Sequence, residues 1–172
     1  SSGPAATSED LTVYRVDSGA AALVSSTTYN APQDMSEFAN AVDSDTAGNF
    51  WIAGSIEYNE VGQTEFEMMA IWKYVPGTGL LSLTTSYSSP GGNDLAVGIQ
   101  VDATDDLWVV GFSSVPATAG AAKSALALWK YDGADGSTTL NTPNLIEGYM
   151  KEAQDRKSTR LNSSHQIISY AV

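Results

Sequence analysis

One stretch of this chain is present twice. Phe50-Trp51-Ile52-Ala53-Gly54 returns as Leu107-Trp108-Val109-Val110-Gly111, and Met69-Ala70-Ile71-Trp72-Lys73-Tyr74 returns as Leu126-Ala127-Leu128-Trp129-Lys130-Tyr131. Both matches lie at an offset of 57 residues, with no gap between the Trp-x-x-Gly and Trp-Lys-Tyr anchors. Self-similarity at a fixed period constrains a fold strongly, because each copy is one unit that buries its apolar face only against a neighbour. A third, partial copy opens the chain at an offset of 58, where Tyr14-Arg15 stands in the place of Trp72-Lys73. Gly19, Leu23, Tyr29 and Pro32 pair with Gly77, Leu81, Tyr87 and Pro90 at that same offset of 58.

Within a copy, short apolar runs rich in β-branched and aromatic residues alternate with turn residues, the signature of strands joined by tight connections. In the second copy the expected strands are Leu95 to Val101, with Val97, Ile99 and Val101 alternating, then Leu107 to Phe112, Ala125 to Tyr131, and a polar fourth strand from Ser137 to Asn141. Leu107 to Phe112 is apolar on both faces, which calls for burial between two other layers. The polar fourth strand suits a sheet edge. Four antiparallel strands per 57-residue unit predict an all-β chain built as a β-propeller fragment. Residues 38–94 and 95–141 form two complete blades, 1–37 a partial blade, and 142–154 the lead-in to a further one. A β-sandwich leaves the repeated anchors unexplained.

The order Val-Asp, turn, Trp-x-x-Gly, loop, Ala-x-Trp-Lys-Tyr resembles the bacterial seven-bladed β-propeller repeat. Asp45-Thr46-Ala47-Gly48-Asn49-Phe50-Trp51-Ile52-Ala53-Gly54 follows that pattern closely, whereas the second copy carries Asp105-Asp106 where the pattern has Gly-Asn. The resemblance covers about residues 1–141. It implies a propeller fold and a secreted or cell-surface setting, the remaining blades being supplied by a longer chain. It implies no reaction, since function lives in sites grafted on folds.

Asp155-Arg156-Lys157-Ser158-Thr159-Arg160-Leu161-Asn162-Ser163-Ser164-His165 reads as a translated sequencing-library adapter, resuming after Gln166-Ile167 as Ile168 to Val172. Segments of that kind are set aside from fold reasoning. Without residues 155–172, five basic residues face nineteen acidic ones, and the net charge moves from −12 to −14. A field of that sign repels phosphate backbones and argues against a nucleic-acid partner. No apolar run is long enough for a membrane span. The chain has no cysteine, and its one histidine is His165. Ser-His-Asp, Cys-His and histidine-metal chemistry therefore have no residues to work with in residues 1–154.

The remaining candidates divide between structure and binding. Trp51, Trp72, Trp108 and Trp129 could stack sugars, but at repeated positions in apolar strands they read as core between blades. Gly54 and Gly111 read as positions where no Cβ fits. Asp43-Ser44-Asp45-Thr46-Ala47-Gly48 begins like a calcium loop but has Ala47 and Gly54 where such a loop wants oxygen ligands, so a turn is expected and no metal or cofactor. Loops that diverge on a repeated scaffold are where recognition concentrates. Ligand contact is accordingly expected on the acidic loop, from Glu57, Tyr58, Glu60, Glu65 and Glu67, with a protein or a glycan as partner. The expected function is a non-catalytic binding or scaffold module of an exported bacterial protein. The alternatives are part of a propeller glycosidase or polysaccharide lyase, with catalytic groups partly outside this sequence and, for a glycosidase, paired carboxylates as its chemistry, and a purely structural surface repeat.

Overall fold

The computed structural model describes residues 9–32, 35–58, 66–89, 92–115, 123–134 and 136–140. They form ten strands, β1 (Leu11–Asp17), β2 (Ala22–Tyr29), β3 (Ser36–Ser44), β4 (Phe50–Tyr58), β5 (Phe66–Val75), β6 (Leu80–Tyr87), β7 (Leu95–Val101), β8 (Leu107–Val115), β9 (Lys123–Tyr131) and β10 (Thr138–Leu140). β1 and β2 make a two-stranded hairpin, and two four-stranded sheets run in the orders β3-β4-β5-β6 and β7-β8-β9-β10. Every pairing is antiparallel between consecutive strands. The all-β expectation holds, and no helix occurs among the described residues. The described residues form no closed barrel or ring. β3 begins at Ser36, two residues before the boundary expected at 38. Residues 142–154 and 155–172 lie outside the described residues.

A bulge shapes the first strand pair of each four-stranded sheet. The β3–β4 register slips between Ala39 and Ala41, and the β7–β8 register slips between Ala96 and Gly98. Each bulge pushes a backbone carbonyl over the glycine of the Trp-x-x-Gly motif. A Cβ on Gly54 would lie 1.8 Å from the Phe38 carbonyl oxygen, and one on Gly111 would lie 1.9 Å from that of Leu95. The absent side chain thus makes room for the sheet's own backbone. The bulge also corrects the simple alternation expected of Val97, Ile99 and Val101. Val97 is the extra residue and is 42% exposed, while Ile99 and Val101 pack on the core.

The sheet β3–β6 is buried on both faces. On one side Trp51, Ala53, Met69 and Ile71 join Ala96, Leu107, Val109, Ala127, Trp129 and Tyr131 in a single core. On the other, Ile52, Ile56, Ala70, Trp72, Tyr74 and Leu81 pack with Leu11 and Ala31. Burying one tryptophan stabilises by about 4–6 kcal/mol at most, from ~150–250 Å² at ~25 cal/mol per Å². Three of the four tryptophans occupy these cores, but Trp108 is 37% exposed. Its counterpart Trp51 faces the next sheet, and the described residues place no sheet over Trp108. Tyr29 meets Trp72 edge-on with ring centroids 6.1 Å apart, and Tyr87 meets Trp129 at 5.7 Å, so the two cores share their aromatic contact.

The turns before β4 and β8 are also alike. Gly48 N–H donates to the Asp45 carbonyl and Asp105 N–H to that of Asp102, with φ of +80° at Gly48 and +65° at Asp105. Asp105 thus takes the left-handed conformation that glycine adopts freely. Its carboxylate accepts from Thr46 N–H at 2.9 Å and Thr46 Oγ1 at 2.6 Å, tying one sheet's turn to the other's.

Candidate functional site

Of the acidic stretch, the end of β4 and the start of β5 are described, and there Glu57 and Glu67 are direct cross-strand partners, as are Tyr58 and Phe66. Alternation along the strands places Glu57 and Glu67 on the face that carries Trp51, Ala53, Met69 and Ile71, the face turned toward β7. Glu57, Glu67, Phe66 and Asn93 line a depression of about 200 Å³ there. The Glu67 N–H donates to Asn93 Oδ1 at 3.1 Å, and Ser55 Oγ donates to Glu67 Oε1 at 3.4 Å. Like charges placed opposite each other on a sheet repel, at a cost of about 0.2–1 kcal/mol. A ligand that brings a positive charge or several hydrogen-bond donors relieves that repulsion. Glu60 and Glu65 lie outside the described residues, and Tyr58 enters only through its backbone pairing with Phe66.

Sequence reasoning missed the two acids that are most deeply placed. Glu37 is 4% exposed and Asp94 fully buried, and they stand 57 residues apart at the starts of β3 and β7. Glu37 accepts from Ala31 N–H at 2.7 Å and from Leu11 N–H at 3.3 Å. Asp94 accepts from Ser89 N–H at 2.6 Å and from Ser113 Oγ at 2.5 Å. The backbone repeats the arrangement, since Glu37 N–H donates to the Glu9 carbonyl at 2.7 Å and Asp94 N–H to the Glu67 carbonyl at 2.9 Å. Each acid fastens the linker that delivers the chain from one sheet to the next. Burial raises the Glu37 pKa, only partly opposed by the Ala31 and Leu11 N–H groups. The one sequence signal for this pair is an acidic residue at the common offset of 57.

A second repeated constellation surrounds Trp51 and Trp108. Trp51 Nε1–H donates to Asp45 Oδ2 at 3.2 Å, and Trp108 Nε1–H to Asp102 Oδ2 at 2.9 Å. Lys73 lies 4.4 Å above the Trp51 ring, and Lys130 lies 4.9 Å above that of Trp108. Lys73 pairs with Asp45 at 3.7 Å, whereas Lys130 pairs with Asp106 at 2.6 Å. Burial pushes the Asp45 pKa up, but hydrogen bonds from Asn49 and Trp51 and the Lys73 charge outweigh it, and the net shift is downward. Hydrogen bonds from Thr104 and Trp108 hold Asp102 well below the usual carboxylate range. Of the two carboxylates in the calcium-like stretch, that of Asp45 thus serves its own turn and indole, while that of Asp43 accepts from Ser44 N–H and from Val101 N–H on β7.

No protein-family model matches the chain, and no curated protein or solved structure matches it either. Among the described residues no helix is long and apolar enough to cross a membrane.

Proposed function

We propose that the chain is a non-catalytic binding and scaffold module of β-propeller type from an exported, cell-surface bacterial protein, its four-stranded sheets being blades. The observation that carries this reading is the junction built twice, Glu37 with Ala31 and Glu9, and Asp94 with Ser89 and Glu67. Two sheet-to-sheet connections fastened by equivalent hydrogen bonds, with the acids 57 residues apart and their partners 58 apart, are what an array of blades requires. The binding role is assigned to the acidic rim, where Glu57 and Glu67 face each other beside Asn93. A depression of that size and charge suits a lysine or arginine side chain of a protein partner, or the hydroxyl groups of a glycan. The test is an array of glycans and basic peptides probed with the chain and with a variant carrying alanine at Glu57, Tyr58, Glu60, Glu65 and Glu67. Loss of a specific signal in the variant supports the assignment. A signal that survives all five substitutions removes it.

A further inference from the structure

Between the β1–β2 hairpin and the sheet β3–β6 lies an apolar groove of about 620 Å³. Ala39, Val42, Phe50, Ile52 and Tyr74 form one wall, and Leu11 and Val13 of β1 stand on the other side. One period on, the first group becomes Ala96, Ile99, Leu107, Val109 and Tyr131; one period on from Leu11 and Val13 stand Met69 and Ile71. All seven belong to, or in the case of Ile99 pack against, the core that also holds Trp51, Ala53, Ala127 and Trp129. Phe50 is 42% and Val42 61% exposed at the groove, where Leu107, the counterpart of Phe50, is fully buried. The groove therefore has the walls of a tryptophan site that is filled elsewhere in the same molecule.

Two further observations describe what fits it. Among the described residues β1 pairs with β2 alone, whereas its counterparts β5 and β9 each hold a second partner, β4 and β8, on the other edge. Arg15 lines the groove at the position of Lys73 and Lys130, the cations that cover Trp51 and Trp108 and pair with acids of the same unit.

We propose that the groove and the free edge of β1 bind one extended strand of the pattern Asp-x5-Trp-x-Ala-Gly, antiparallel to β1, with its indole in the groove beneath Arg15. The register follows from β5 and β4, where Lys73 is opposite Trp51 and Ala70 opposite Gly54. Arg15 then lies opposite the incoming tryptophan and Thr12 opposite the glycine. Added-strand binding of this kind takes affinity from main-chain hydrogen bonds and specificity from pockets for alternate side chains. The proposal rests on the blade reading and names what completes the first unit. It is independent of the acidic rim, so failure of the rim test leaves it standing.

The test uses the full chain and a fluorescent peptide copied from residues 43–58. Saturable one-to-one binding is expected, with slowed amide exchange along β1. Trp51→Ala in the peptide, or Arg15→Glu in the chain, should weaken it by about tenfold or more. A second measurement covers a peptide that is itself insoluble: a chain extended before Ser1 by a copy of residues 36–58 should melt at a higher temperature, and Trp→Ala in the added copy should erase the gain. Equal binding by the Trp51→Ala peptide overturns the proposal. So does an extended chain no more stable than the original. A homodimer that protects β1 and resists competition by the peptide also overturns it, assigning the groove to a second copy instead.

Discussion

Replacing Gly54 by alanine puts one methyl group where the Phe38 carbonyl already lies. The new Cβ would sit 1.8 Å from that oxygen, 2.9 Å from its carbon and 3.1 Å from the Ala39 Cα. An ordinary close carbon–oxygen approach is about 3.3 Å or more, so β3 must retreat by about 1.5 Å from a strand only ~4.8 Å away. The obstacle is backbone held by a bulge, so no rotamer change relieves it. The retreat would also pull on Asn40, which donates to the Ala96 carbonyl at 2.9 Å, and on Asp43, which accepts from Val101 N–H at 2.8 Å. Overpacking at the severe end costs about 3 kcal/mol. At roughly 2–4 °C per kcal/mol for a chain of this size, the melting temperature should fall by about 6–12 °C. Gly111→Ala should do the same at β8. Gly77→Ala is the control, since an added Cβ there meets nothing within 4 Å, and it should change stability by less than about 0.5 kcal/mol. Thermal melts followed by circular dichroism, with urea midpoints beside them, decide the matter. A Gly54→Ala chain as stable as Gly77→Ala would refute the argument that the bulge carbonyl sets this position.

Asp94→Ala should cost about 2–4 kcal/mol in a urea melt, because it strands the Ser89 N–H and the Ser113 hydroxyl in the interior. Asp94→Asn, which keeps an acceptor oxygen, should cost less. The Asp102 pKa is depressed in the folded chain from an ordinary 3.8, so its stabilisation is present above that value and lost as the pH falls through the folded one. Asp102→Asn should therefore flatten the acid side of a plot of Tm against pH. The Glu37 pKa is raised above 4.5, so the sign reverses: its favourable contribution is complete below 4.5 and fades as the pH rises through the folded value. Glu37→Gln should accordingly gain on the parent chain as the pH climbs from 4.5 toward neutrality, and a constant difference in Tm would contradict this.

Strand identity was legible in the sequence wherever side-chain pattern and period agreed. Phe50 to Gly54 and Leu107 to Gly111 begin β4 and β8, and the two Trp-Lys-Tyr runs lie in β5 and β9. Pattern failed at the bulges, because an extra residue such as Val97 is invisible to a period-two reading until the partner strand is known. The acid pair failed for a different reason. Glu37 and Asp94 differ in length and have unlike neighbours, Ser36 and Phe38 against Asn93 and Leu95. The partners they have in common are backbone N–H groups, of Ala31 and Ser89, which carry no sequence signature. Glu57 and Glu67 were legible as acidic residues, but their placement directly opposite each other depends on the β4–β5 register.

The junction that joins Glu67 to Asp94 repeats the one joining Glu9 to Glu37 a step further along the chain, each acid's N–H donating to the carbonyl of an earlier glutamate. Surfaces related in this way close into rings or run on as filaments according to the rotation at each step. Nothing in such a surface counts. On the blade reading proposed above, the number of units is set by the gene and changes by whole copies. On that reading, an in-frame duplication of 57 residues would add a sheet that presents the same two faces to its neighbours. A deletion of one residue inside β4 is far more disruptive, because it turns Trp51 and Ile52 to each other's side and spoils two interfaces at once.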